Sequence, residues 1–242
     1  MIDLNGVSKS FRSVEALRDA GFQAPDGGVT GMIGPNGAGK TTALRILYTV
    51  LRPDSGVALI DGFDTVRQRA EVQARIGVVP DGRGLYPRLT AREHIRYFGR
   101  LHGLGGRDLE RRIDTLAQTL RMEAFVDRRA KGFSKGQVRK VALARALVHD
   151  PQNILLDEPT NGLDVASSRA VHDLIRELRD RGRCILFCSH IMQEVAEISD
   201  RIVVIAGGRV LAEDSQQALL AASGTDSIER AFLALTGEAE GT

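Results

Sequence analysis

The 242 residues, 43% hydrophobic and 26% charged with a formal net charge of +2, have the balance of a globular protein with one full core. No run of about 18 uncharged apolar residues is present, so no segment is expected to span a bilayer. Met1–Asn5 has neither the basic nor the apolar character of a signal peptide, and cytosol is the default compartment.

Ile2–Val7 alternates apolar and polar positions and reads as a strand. Ala16–Ala24 reads as a second, before the turn Pro25-Asp26-Gly27-Gly28. Between them lies Phe11, an aromatic placed either to stack on a purine or to fill the core. Val29–Ile33 is a short buried strand, and a helical pattern begins at Ala43. The loop joining them is Gly34-Pro35-Asn36-Gly37-Ala38-Gly39-Lys40-Thr41, followed by Thr42: glycine, four residues, then Gly-Lys-Thr. Strand, loop and helix in this order aim the free N–H groups of the first helical turn at an anion. Glycines remove the Cβ atoms that would obstruct phosphate oxygens. In this pattern Lys40 brings positive charge to the β- and γ-phosphates and the Thr41 hydroxyl is a magnesium ligand. The expected ligand is a nucleoside triphosphate.

Arg52–Gly56 is a turn and Val57–Ile60 a strand; Thr65–Ala74 reads as a helix, and Ile76–Val79 as a strand closed by Pro80. Thr90 is the expected N-cap of a helix containing Ile95, Phe98 and Leu101, which Gly103–Gly106 ends. Leu109, Ile113, Leu116 and Leu120 repeat at helical spacing. With no β-branched runs, residues 84–150 read as a helical insertion between core segments 1–83 and 151–242. From Asp81 to Lys140 there are fifteen Lys and Arg against seven Asp and Glu. The aromatic interleaving that stacks bases is missing, so solvated helix faces or a surface near anionic headgroups are expected, and not nucleic acid. Phe133-Ser134-Lys135-Gly136-Gln137 precedes a helix carrying Val141, Leu143, Ala144 and Leu147. Ser134 is a natural N-cap, and this helix start is a second anion site. One triphosphate in its own loop needs only one such site. The surplus points to a dimer with shared sites.

Asn153–Leu156 reads as a strand, Ala166–Arg179 as a helix and Arg183–Cys188 as a strand. Arg201–Ile205 and Arg209–Leu211 form a hairpin around Gly207-Gly208, and helices near Gln216–Ala221 and Ser227–Leu235 follow. Strands alternating with helices imply a mainly parallel sheet covered on both faces. The two cysteines, Cys184 and Cys188, are four strand residues apart. That is about 13 Å, too far for a disulfide. Asp157 and Glu158 directly follow a hydrophobic strand, and ligands gather at the carboxyl ends of parallel strands. Asp157 suits magnesium, and Glu158 suits orienting or deprotonating an attacking water. His190 ends another strand at the same edge, in reach of the γ-phosphate or that water, or as a structural residue.

This ordered set resembles the nucleotide-binding subunit of an ABC transporter over essentially the whole chain. Gly34–Thr41 is similar to the family's Walker A, Ile154–Glu158 to Walker B and Phe133–Gln137 to the signature. Asn161–Asp164 is similar to the D-loop, His190 to the switch histidine and Phe11 to the adenine-stacking aromatic. Leu85–Glu93 and Asp157–Asp164 look most like the sodium-export, Nat-type branch, allied to drug and polysaccharide exporters. The resemblance implies an α/β P-loop (RecA-like) core with an antiparallel β portion near the N-terminus. It also implies ATP and Mg2+, with Thr41, Asp157 and Asp81 on the metal and Glu158, His190 and Lys40 in catalysis. Two subunits, a homodimer or paired cassettes, would pack head to tail. Each ATP would then lie between one Walker A and the Ser134, Lys135, Gly136, Gln137 and D-loop Asp164 region of the other. The pair would power an integral membrane permease at the cytoplasmic face of the membrane.

Two positions depart from the family pattern. Asp81 stands where a glutamine is usual; it can hold magnesium, yet its charge repels a γ-phosphate when metal is absent. Lys135 replaces a signature glycine, with its charge either near triphosphate or turned to water. Other readings are a soluble ABC ATPase acting on ribosomes or nucleic acid, and a low-turnover nucleotide sensor. The first of these usually joins two cassettes or carries a long coiled coil. A cassette does not choose the transported molecule, because membrane helices do.

Overall fold

The computed structural model describes residues 1–82 and 84–237; Arg83 and residues 238–242, which close the two predicted core segments, lie outside the described residues. The first half runs β1 (Ile2–Phe11), β2 (Val14–Ala24), β3 (Val29–Ile33), α1 (Lys40–Leu47), β4 (Ser55–Ile60), β5 (Phe63–Asp64), α2 (Arg69–Arg75) and β6 (Ile76–Val79). Three helices follow, α3 (Ala91–Leu101), α4 (Gly106–Thr119) and α5 (Lys135–Leu147). The chain then returns to alternation with β7 (Asn153–Asp157), α6 (Val165–Asp180), β8 (Cys184–Ser189), α7 (Met192–Ile198) and β9 (Arg201–Ala206). It closes with β10 (Arg209–Asp214), α8 (Gln216–Ser223) and α9 (Ile228–Thr236).

Two sheets result. One is antiparallel, ordered β2-β1-β4-β5; the other is ordered β10-β9-β3-β8-β7-β6 and is parallel except for β10 at its edge. Strands β3, β7 and β8 are buried at every position, as a parallel sheet covered on both faces requires. Their side chains alternate between two cores. Met32, Leu155 and Leu186 pack toward α1 and the antiparallel sheet, whereas Ile33, Ile154, Leu156, Ile185 and Phe187 pack toward the helices of the opposite face. Cys184 and Cys188 point into the first core as buried free thiols. Burial pushes the Cys184 thiol up to about 12, so neither ionises readily at neutral pH.

Register positions the site. Ile33 pairs with Ser189, and Asp157 with Cys188, so β3, β7 and β8 end at one level of the sheet. Gly34, Glu158 and His190 therefore leave the same edge.

Caps set the helix starts. Thr90 and Ser134 each accept from the backbone N–H three residues on, while the side chains of Glu93 and Gln137 return the bond. The helix expected over Thr65–Ala74 begins only at Arg69. Asp64 Oδ1 accepts from Val66 N at 2.7 Å and Arg67 N at 3.0 Å, a local turn that competes with helical bonding. Among the described residues no helix is long and apolar enough to cross a membrane.

An open cleft of about 690 Å³ separates α2 and β6 from α3 and α5, with Tyr48, Phe98, Leu101, His102, Arg145 and His149 in its lining. The rings of His102 and His149 stack at 3.6 Å with a 6° tilt, and His149 Nε2 donates to the Ile76 carbonyl at 3.0 Å. Burial, then the neighbouring His102, lowers the His149 pKa from 6.5 to about 4. The unfolded chain therefore binds the extra proton across that window. Stability rests on neutral His149 above pH 6.5 and falls as pH drops toward 4. His149→Phe keeps the stack and removes the titration. Thermal melts between pH 7 and pH 5 should show a shallower decline for the variant, by about 1 kcal/mol at the acid end.

Candidate nucleotide site

The loop between β3 and α1 is pressed against its neighbours. A Cβ on Gly34 would stand 2.2 Å from the Ile205 carbonyl oxygen, and one on Gly39, at φ +111°, 2.5 Å from that of Ala16. Only glycine fits both places. Lys40 is buried, with Nζ donating to the carbonyls of Gly34 at 2.5 Å and Pro35 at 3.2 Å. The ammonium thus sits over its own loop, at the head of a helix whose first N–H groups are free for an anion. A cavity of about 350 Å³ opens there, lined by Pro35, Asn36, Gly37, Ala38, Gly39, Lys40, Thr41 and Thr42 together with Val14, Ala16, Asp81 and Glu158. Two carboxylates distant in sequence are thereby brought to the phosphate loop. Phe11 is not a core residue: it is 44% exposed at the end of β1, paired in register with Val14 of the cavity wall. Lys9 Nζ lies 5.6 Å from its ring centroid.

Asp157 is almost fully buried at the end of β7 and is hydrogen-bonded by the Thr41 side chain. Burial raises its pKa first, and the charges of Asp81 and Glu158 raise it further, against the opposing effects of Thr41 and Lys40. A buried carboxylate beside two others is under-compensated, which a divalent cation would correct. The donors Thr41, Asp157 and Asp81 are all oxygens, suited to a hard ion such as Mg2+. Among the described residues no cluster of three or more His, Cys, Asp or Glu side chains is poised to hold a metal alone. Mg2+ fits this arrangement because it is commonly held by one or two carboxylates, substrate phosphates and water.

Glu158 has φ +50°, a left-handed conformation costing a non-glycine residue about 1–3 kcal/mol. Its N–H still donates to the Cys188 carbonyl at 3.0 Å. The bend turns its carboxylate off the strand to His190, whose Nδ1 is 2.7 Å from Oε2. A carboxylate only accepts, so Nδ1 is assigned the proton and a neutral ring keeps Nε2 as an acceptor. His190 is thus tied to Glu158 and does not stand alone.

Behind this pair lies a cluster that no sequence motif announces. Buried Glu194 of α7 accepts from Ser189 Oγ at 2.8 Å and lies 2.6 Å from His172 Nε2 of α6, and Thr160 adds a third hydrogen bond. Burial alone would raise the Glu194 pKa, but these bonds outweigh it and lower it. One carboxylate therefore ties down the segments that carry Glu158 and His190. Thr160, His172 and the Ser189–Glu194 stretch are separate in sequence and meet only through the fold.

The remaining predicted residues lie elsewhere. Ser134 Oγ accepts from Gln137 N at 3.2 Å while Gln137 Oε1 accepts from Ser134 N at 3.0 Å. Neither these two nor Lys135 and Gly136 line the phosphate-loop cavity. Lys135 lies along the loop that follows β7, its Cδ 3.2 Å from where a Cβ on Gly162 would stand. Asp164 caps α6 by accepting from Ser167 N at 2.8 Å, a bond that lowers its pKa. Asp81 lies 3.9 Å from Arg139 of α5.

Residues 17–161 match the family model described as ABC transporter. The chain is 44% identical to the ABC transporter ATP-binding protein NatA of Bacillus subtilis (strain 168), over 96% of this chain and 97% of that protein. It is 37% identical to the Nod factor export ATP-binding protein I of Paraburkholderia xenovorans (strain LB400), over 94% of this chain and 75% of that one. A dimeric ATP-binding cassette solved in a post-hydrolysis state with ADP and Pi is 26% identical. The match covers 89% of this chain and 98% of that one with a TM-score of 0.82.

Proposed function

The chain belongs to the ABC transporter family as an ATP-binding, ATP-hydrolysing subunit, and from that premise we propose that two copies close head to tail on two ATP molecules to drive an export permease. One observation carries this reading. The capped start of α5, with Ser134 and Lys135 exposed, stands outside the cavity of its own phosphate loop. An anion-binding helix end without a ligand in its own subunit is supplied with one by a second copy, and a two-fold arrangement closes on itself. The similar cassette bound to ADP and Pi is itself described as dimeric.

Within each site the loop amides and Lys40 hold the phosphates, and Phe11 offers its exposed ring to the base. Thr41, Asp157 and Asp81 would hold Mg2+, which when bound supplies positive charge to the β- and γ-phosphate oxygens. Glu158 accepts the proton of the attacking water, and His190 fixes the carboxylate that does so. Cleavage to ADP and phosphate removes the γ-phosphate that bridges the two subunits, so the pair opens.

The permease contact is assigned to the cleft between α2 and α3, whose lining includes Leu101, 65% exposed. On this reading the chain is peripheral, at the cytoplasmic face of the membrane. The Nat-type resemblance makes sodium the first cargo to test, and the Nod factor export relative supports the outward direction. Detergent extraction of membranes from cells expressing the tagged chain tests the reading. Wild type should co-purify with a multi-span membrane protein, and Leu101→Arg should lose it at least tenfold while still binding ATP. Recovery of the wild-type chain with ribosomes or salt-sensitive RNA instead would overturn it.

A further inference from the structure

Arg139 sits one turn into α5, and its side chain is only 12% exposed, yet it turns toward the ATP site of its own chain. Its Nη2 is 3.9 Å from Asp81 Oδ1, an ion pair too long for a hydrogen bond. The two residues line a second cavity of about 350 Å³, and Asp81 also lines the phosphate-loop cavity, so it belongs to the walls of both. Burial is the largest influence on Arg139 and lowers its pKa, while Asp81, then Asp157 and Glu158, act in the opposite direction. Three carboxylates thus converge between β6, β7 and α5. Lys40, the cation of the phosphate loop, has Nζ engaged by the carbonyls of Gly34 and Pro35.

We propose that Arg139 is a positioning residue that serves as the resting counter-ion of this acidic cluster and is displaced from Asp81 when metal-bound triphosphate arrives. The inference rests on the ATP-site reading given above, with Asp81 near the metal. Two cations cannot both neutralise Asp81 at close range without repelling each other, so metal binding and the Arg139 pair oppose one another. A glutamine at position 81 would be neutral and would not hold a guanidinium this way. In this chain, aspartate at 81 and arginine at 139 therefore form one device. Metal entry is linked to the set of α5, and hence to Ser134–Gln137 at its start, by exchange of charge. Because the ion pair has no hydrogen bond and Asp81 is half exposed, the exchange is of modest size, roughly tenfold in apparent metal affinity.

The test uses the full chain and reads the Mg2+ concentration giving half-maximal binding of a fluorescent ATP analogue, without hydrolysis. Arg139→Gln should lower that concentration roughly tenfold, and Arg139→Lys, which keeps the charge, should restore the wild-type value. In an Asp81→Gln background the effect of Arg139→Gln should shrink by at least half on a logarithmic scale, because the partner at 3.9 Å is gone and only the influence of Asp157 and Glu158 remains. Equal midpoints for wild type and Arg139→Gln, or an undiminished shift in the Asp81→Gln background, overturns the proposal. Should Arg139→Gln not fold, Arg139→Met supplies a neutral side chain of similar length for the same comparison. Its midpoint should fall roughly tenfold as well, and a midpoint equal to that of wild type overturns the proposal. Failure of wild type to bind the analogue at any Mg2+ concentration would refute the ATP-site reading instead.

Discussion

Glu158→Gln is expected to reduce ATP turnover by about 10²–10³-fold while leaving ATP bound in a long-lived dimer. The amide has the shape of the carboxylate and the same need for a left-handed backbone, so the strain at φ +50° is unchanged. It cannot take a proton from water. The 2.7 Å contact with His190 Nδ1 survives, because an amide oxygen also accepts. The loss is therefore confined to the step in which the carboxylate acts as a base. Binding, which depends on the loop amides and Lys40, persists. Phosphate release measured with the membrane partner present gives the rate, and light scattering during gel filtration with ATP gives the mass. Turnover at the wild-type rate would remove Glu158 from its role. A chain that stays monomeric when loaded with ATP would remove the shared site.

The parts of this site legible in the sequence are those whose chemistry lies in contiguous residues. Gly34–Thr41 carries its own geometry, because the backbone of a single loop makes the cradle and β3 and α1 flank it directly. Asp157 and Glu158 are legible because they end a hydrophobic strand of a parallel sheet, and the register of Asp157 with Cys188 and Ile33 with Ser189 brings that strand end level with the phosphate loop. Periodicity could not find Arg139 or Glu194. Each is a charged side chain turned inward toward partners from other segments, and a period of 3.6 reports only which face is apolar. Helix α7 escaped for a related reason: it has seven residues and no side-chain cap. The delayed start of α2 came from Asp64, whose side chain holds two N–H groups in a turn and outcompetes the propensity of the residues after it. In the sequence Phe11 is ambiguous, because aromatic identity does not distinguish a core position from a stacking one. Its exposure does.

Gly136→Asp is expected to abolish ATP-driven dimerisation and lower turnover roughly 10²-fold or more without unfolding the isolated chain. A Cβ at this position would meet Ser167 Oγ at 3.5 Å and Leu163 Cδ2 at 3.8 Å, ordinary contacts that a side chain tolerates. The penalty therefore arises only when a triphosphate is brought against the start of α5. There a carboxylate near phosphate oxygens costs about 1–4 kcal/mol at each site, depending on how much water remains. Two-fold symmetry imposes that cost twice. Lys40→Ala fails for the opposite reason, since it loses the grip on its own phosphate while keeping an intact α5 start. Mixing the two variants, each also carrying Glu158→Gln so that ATP is retained, separates the possible geometries. With head-to-tail packing, one site of the mixed pair joins the sound loop of the Gly136→Asp chain to the sound α5 of the Lys40→Ala chain. The other site collects both defects. Light scattering should then show a heterodimer holding one ATP, where neither variant alone forms a dimer. If each site were completed within a single chain, both chains in the mixture would remain defective and no dimer would appear.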